Sequence, residues 1–167
     1  MRAAGLKPVR WGRNVHARIG QGRAGKGRPC LLVNSHLDTV PPNPSWTMDP
    51  FKPRRVADRL YGLGSSDAKA SVSAMIASIP AFREVVKLRG GSIVLVFTCD
   101  EETGGQGLEV LLPRLGTIDA ALIGEPTSCD PYLGQRGLVI LRATAHGKSA
   151  HASRPEPLEE LIAAQAF

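Results

Sequence analysis

The seven-residue run Ser92–Thr98 (SIVLVFT) constrains this chain more than any other feature. So continuous an apolar stretch, with no alternation, fits a strand covered on both faces, as in a parallel sheet. Two shorter runs repeat the pattern, residues 30–33 (CLLV) and residues 120–123 (AALI). Between the first and second, Val72, Met75, Ile76 and Ile79 stand at i, i+3, i+4 and i+7, the spacing of one helix face. Between the second and third, Leu108, Leu111, Leu112 and Leu115 do the same, and Pro80 and Pro113 predict a kink or early end in these helices. Strand, helix, strand, helix, strand is the order of an α/β fold, a mostly parallel sheet with flanking helices and right-handed crossovers. Sites in such sheets lie beyond the carboxyl ends of the strands. Residues 14–19 alternate apolar and polar side chains and predict a half-exposed edge strand.

Composition narrows the function. Of 167 residues, 43% are hydrophobic and 22% charged, which excludes a disordered, collagenous or coiled-coil chain. No apolar run approaches the roughly 18 residues of a membrane span. The opening MRAAGLKP lacks the apolar core and cleavage site of a signal peptide, so a cytoplasmic protein away from membranes is expected. Residues 1–59 carry 12 Lys/Arg against 3 Asp/Glu, and residues 60–167 carry 9 against 12. A basic arm suggests nucleic acid, but this one has no interleaved aromatics and no zinc-finger or helix-turn-helix signature, so no nucleic-acid partner is expected. Cys30, Cys99 and Cys129, odd in number and without CxxC spacing, read as reduced and mostly buried thiols.

Four polar clusters follow the apolar runs. In Ser35-His36-Leu37-Asp38-Thr39-Val40-Pro41, His36 and Asp38 are two apart in extended chain and point to one side. A lone His there is an ordinary packed histidine; the paired carboxylate favours a metal ligand with its orienting partner. Gly62-Leu63-Gly64-Ser65-Ser66-Asp67-Ala68-Lys69 opens the first helix and by itself reads as a cap. It is not a phosphate loop, having no GxxxxGK[ST] and an acid that repels phosphate. Cys99-Asp100-Glu101-Glu102-Thr103-Gly104-Gly105 follows the most apolar strand, where adjacent carboxylates either spread into solvent or gather round a cation. Gly124-Glu125-Pro126-Thr127 adds an acid after the third run. Together His36, Asp67, Glu102 and Glu125 form a hard O/N ligand set at one sheet edge, suited to Zn²⁺ or a similar divalent ion. With Glu101 to spare, the set suggests two ions sharing a carboxylate, with a base beside them.

These four motifs, in this order and spacing, resemble the co-catalytic zinc metallopeptidase family of acetylornithine deacetylase, succinyl-diaminopimelate desuccinylase, aminoacylase and glutamate carboxypeptidase. The resemblance runs from about Leu31 to Ser153. It implies a zinc-exopeptidase-like catalytic domain that hydrolyses the amide of a small N-acyl amino acid using two divalent metal ions, Zn before Co or Mn. Asp67 would bridge the ions, His36 and Glu125 would hold one each, and Glu102 would complete the set. Asp38 would orient His36, and Glu101 would be the general base. Gly147-Lys148-Ser149-Ala150-His151-Ala152-Ser153 resembles a lid segment whose His stabilises the oxyanion in the active site of a homodimer partner, and Gln135-Arg136-Gly137 resembles the point where that lid begins. The resemblance therefore divides the chain into a partial catalytic domain, residues 1–132, and the start of an α+β lid or dimerisation domain, residues 133–167. Leu63, Ala68 and the stretch Pro41-Pro42-Asn43-Pro44-Ser45-Trp46 are closest to the acetylornithine deacetylase branch, which implies arginine biosynthesis. The family's last metal ligand is a His near its C-terminus. After Glu125 this sequence offers only His146 and His151, both in the lid segment, so a truncated chain is expected, with an inactive fragment or a dipeptidase of the same family as alternatives.

Overall fold

The computed structural model describes residues 1–21, 28–137, 139 and 141–144, and the chain divides into two compact units, Met1–Cys129 and Asp130–Phe167. In chain order the first unit contains β1 (Val9–Trp11), β2 (Asn14–Ile19), β3 (Cys30–His36), β4 (Arg54–Val56), β5 (Arg59–Tyr61), α1 (Lys69–Ala77), α2 (Ile79–Arg89), β6 (Ser92–Thr98), α3 (Gln106–Leu115) and β7 (Ala120–Ile123). Five strands form one sheet in the order β1-β2-β6-β3-β7, and β4 and β5 form a separate hairpin.

The three apolar runs become the parallel part of the sheet. β3 pairs in parallel with β6 on one side, Leu31 opposite Ile93 and His36 opposite Thr98, and with β7 on the other, Val33 opposite Leu122. β2 and β1 add antiparallel pairs at one edge, so the sheet is mixed around a parallel β6-β3-β7 part. Strand alternation sorts the core into two layers. Ala17, Ile19, Val33, Ile93, Leu95 and Phe97 face α1 and α2, packing on Val72, Met75 and Ile79. Cys30, Leu32, Val94 and Val96 face the other way, onto Leu111 and Leu115 of α3. The chain crosses from β3 to β6 in one direction and from β6 past β3 to β7 in the other, so connections of one hand place their helices on opposite faces. The loops leaving β3 and β6 thus part to opposite faces and open a crevice at their carboxyl ends, the topological switch point where such sheets bind ligands.

Several expectations are corrected in detail. The helix read through Ile79 is two helices, divided at Ser78, with Pro80 in the first turn of α2 where its missing N–H has no helical partner to lose. Pro113 lies inside α3, and the helix ends two residues later, with Gly116 as its C-cap. The residues of β7 are exposed instead of buried on both faces: the strand joins neither core cluster and, among the described residues, pairs only with β3. Cys129 is exposed, so the thiols are not mostly buried; all three are free. β1, β4 and β5 have three residues each, too few for a sequence period to show. Residues 133–167, expected to begin a lid domain, fall largely outside the described residues, and those described between 130 and 144 lie in neither helix nor strand. His151 lies outside them altogether.

Candidate metal centre

His36 is the last residue of β3 and is only 1% exposed. The strand ends around it are tied together: the Leu37 N–H donates to the Thr98 carbonyl at 2.8 Å, the Gly124 N–H to the Asn34 carbonyl at 2.8 Å, and Ser35 Oγ to the Gly124 carbonyl at 3.0 Å. These bonds fix the exits of β3, β6 and β7 side by side, which brings the segments carrying Asp38, Glu101, Glu102 and Glu125 to the buried imidazole.

The two ring nitrogens of His36 have different neighbours. Nδ1 faces only acceptors, the Asp38 carbonyl at 3.2 Å and Asp38 Oδ1 at 3.5 Å, so it carries a proton. Asp38 Oδ1 is buried and has no hydrogen-bond donor within bonding geometry, while its other oxygen accepts the Glu102 N–H at 3.2 Å. Nε2 lies 2.9 Å from Asp67 Oδ1 and 3.7 Å from Glu125 Oε2. Ligand atoms around one tetrahedral zinc at about 2.0–2.2 Å stand roughly 3.3–3.6 Å apart, and this triad is close to that spacing. Two sets have ligand atoms within 4.8 Å of one another, His36 with Asp67 and Glu125, and His36 with Glu101 and Glu102. Both sets include His36, and Asp67 belongs to one of them.

Asp67 does not cap a helix. The cap position of α1 is Ala68, with no side-chain cap bond, and the Asp67 carboxylate reaches His36 instead; the Asp67–Ala68 peptide is cis. Of the three consecutive acids after β6, Asp100 turns away to the guanidinium of Arg13, and Glu101 and Glu102 turn back towards His36. Asp100 makes that reversal with φ +63°, a left-handed conformation that Asp tolerates better than most residues, and the turn closes with the Gly105 N–H on the Asp100 carbonyl at 2.7 Å.

Crowded acids leave a mark on protonation. Burial acts against the charged form of His36, but the Glu125 charge, the hydrogen bond to Asp67 and the Glu101 charge outweigh it and raise its pKa above the ordinary value. Glu125 is also raised, first by burial and then by Glu101, Asp67 and Glu102, with His36 acting in the opposite direction. A cluster that holds protons this way, with an unsatisfied buried carboxylate oxygen behind its imidazole, fits a divalent cation by charge, donor type and spacing.

Beside Asp67 and Glu102 opens a cavity of about 400 Å³ whose walls include Val40, Trp46, Leu60, Tyr61 and Leu63. A larger recess of about 810 Å³ runs along β2 and α2, lined by Lys7, His16, Arg18, Arg83, Lys87 and Arg114. It contains no carboxylate, so the smaller cavity is the one that adjoins the ligand cluster.

Asn14 and Arg13, which anchor the segment after β6, were not evident as site residues in the sequence. Their partners are 85 to 93 residues away, and the only local signal was that Asn14 begins an alternating strand.

The profile described as Peptidase family M20/M25/M40 matches residues 32–162, a span that takes in His36, Asp38, Asp67, Glu101, Glu102 and Glu125. The chain belongs to this family. Among members of the M20/M25/M40 peptidase family it is 34% identical over 165 residues to the succinyl-diaminopimelate desuccinylase of Gluconobacter oxydans, covering 90% of this chain and 42% of that protein. It is 36% identical over 129 residues to the N-acetyl-L-citrulline deacetylase of Xanthomonas campestris pv. campestris, covering 77% of this chain and 33% of that one. Its fold is similar to that of human carnosine dipeptidase 1, with a TM-score of 0.54 at 24% identity, covering 73% of this chain and 30% of that chain. This chain thus spans about a third to two fifths of the length of the curated relatives it matches.

Proposed function

We propose that this chain carries most of the metal centre of a hydrolase that cleaves the amide of a small N-acyl amino acid or dipeptide, and that His36, Asp67, Glu102 and Glu125 hold two divalent ions there, zinc first. The observation that carries the reading is the convergence of four carboxylates on one buried imidazole, with ligand atoms of each set within 4.8 Å. Ions held there would supply Lewis acidity, polarising the scissile carbonyl and lowering the pKa of water towards about 7.

The residues of the chain divide the remaining work. Asp38 and its carbonyl hold the proton on His36 Nδ1, which leaves Nε2 as the ligand atom. Glu101 takes a proton from the attacking water and passes it to the nitrogen of the leaving amine. The cavity beside Asp67 and Glu102 receives the uncharged part of the substrate against Val40, Trp46 and Leu63. By the resemblance, residues from 133 onward would belong to a lid, and His151 would stabilise the oxyanion in the active site of a homodimer partner. The relatives are named for acetyl and succinyl substrates alike, so the reading extends to the class, with N-acetylornithine as one member favoured by the motifs alone.

Metal binding belongs to residues of this chain, whereas turnover is proposed for the whole protein. The test is a Glu101→Gln substitution assayed on N-acetylornithine, N-acetylcitrulline, N-succinyl-diaminopimelate and a dipeptide. Expected is a loss of turnover on whichever substrate the unsubstituted protein accepts, of at least about a hundredfold, with metal content unchanged. Turnover within about threefold of the unsubstituted protein removes Glu101 from the role of base.

A further inference from the structure

We infer that Asn14 is a positioning residue of this metal centre: its buried side-chain amide closes the neck of loop 99–107 and so sets where Glu101 and Glu102 stand. The inference rests on the metal-hydrolase reading for its consequence, but its geometry is independent of it.

Asn14 opens β2 and is 4% exposed. Its Oδ1 accepts the Cys99 N–H at 2.9 Å, immediately after β6, and its Nδ2 donates to the Gly107 carbonyl at 2.8 Å, in the first turn of α3. One side chain therefore binds both ends of the loop that carries the two acids. The neck is tight: a Cβ on Gly107 would lie 2.0 Å from the Cys99 carbonyl oxygen and 2.9 Å from Asn14 Oδ1. Within the loop, Asp100 adopts its left-handed φ with its carboxylate on Arg13, the residue before Asn14, so the β1–β2 hairpin grips the loop at two points. On the far side the Glu102 N–H is held by Asp38. Glu101 and Glu102 are thus suspended between the hairpin and Asp38, and neither Asn14 nor Arg13 is itself in a ligand set.

Both amide functions of Asn14 are needed, because the Cys99 N–H requires an acceptor and the Gly107 carbonyl a donor. A small apolar residue leaves both unpaired and frees the neck to widen. A merely structural asparagine would lower thermal stability without altering how a metal sits among Glu101, Glu102 and His36, and that difference makes the role measurable.

The test uses the full chain, Asn14→Ala and Arg13→Ala, with two readouts: Co²⁺ titration followed by visible absorption, and amide hydrogen exchange of the metal-free proteins. Asn14→Ala is expected to speed exchange across residues 99–107 relative to the centre of β6, to weaken Co²⁺ binding by about 10- to 100-fold, and to change the ligand-field bands. Arg13→Ala, which alters an exposed side chain, is expected to act in the same direction by a few-fold. A folded Asn14→Ala protein with loop exchange, affinity within twofold and bands all as in the unsubstituted chain overturns the inference. If Asn14→Ala does not fold, Arg13→Ala decides, and unchanged loop exchange and bands overturn it. If the unsubstituted chain binds no Co²⁺, the metal reading fails, and the exchange data alone judge whether Asn14 holds the loop.

Discussion

His36 and Glu125 are the residues at which protons and metal compete. Both have raised pKa values in the metal-free fold, so each binds its proton more tightly folded than unfolded. The sign follows from linkage. For His36 the stabilising contribution is fully present below its unfolded value of 6.5 and is lost as pH rises through the higher folded value. For Glu125 it is present below 4.5 and lost as pH rises through the raised one. A bound cation reverses the balance, since it replaces these protons and releases them. Zinc affinity is therefore expected to rise at least about tenfold from pH 5.5 to pH 7.5, with net proton release. Calorimetric titration in buffers of different ionisation enthalpy measures both; affinity independent of pH over that range contradicts the assignment of His36.

At the scale of elements, α3 ties the acidic loop to the core. Leu111 is completely buried against Val94, Val96 and Leu32, whereas Leu112, its neighbour in the same periodic set, is 40% exposed. Leu111→Ala is expected to cost about 2–5 kcal/mol, and Leu112→Ala less than about 1 kcal/mol, measured by urea unfolding at constant m-value. Equal losses contradict the packing of α3. The pair also shows where the sequence is legible. The period of Leu108, Leu111, Leu112 and Leu115 identifies the helix, but which leucine reaches the sheet depends on the angle at which the helix lies across β6 and β3, a tertiary property. The runs that become β3 and β6 are legible because a strand covered by helices must be apolar along its length; the β7 run has the same pattern, but that strand is exposed, pairs with β3 alone among the described residues and joins neither core cluster.

Across the whole first unit, the candidate site was legible because the topology collects it. His36 ends one parallel strand and Glu101, Glu102 and Glu125 follow the other two, so one inference about sheet order gathers them all, and Asp67 joins them from the turn before α1. The side chains that hold this arrangement were not legible, because Asn14 and Arg13 belong to a hairpin paired antiparallel at the sheet's edge and meet the acidic loop only in three dimensions. The charge asymmetry has a corresponding sense. The basic N-terminal part contributes Arg13 to the support of the site, while the acidic remainder contributes the acids themselves. The account depends on the claim that these acids and His36 form a metal centre. Its most direct test is the metal content of the chain after zinc loading and exhaustive dialysis, measured by elemental analysis beside an Asp67→Asn variant of unchanged thermal stability. The account predicts up to two zinc ions per chain, retained against dialysis and reduced by at least one in the variant. A folded chain that retains no zinc, or a variant that retains as much as the unsubstituted protein, contradicts it.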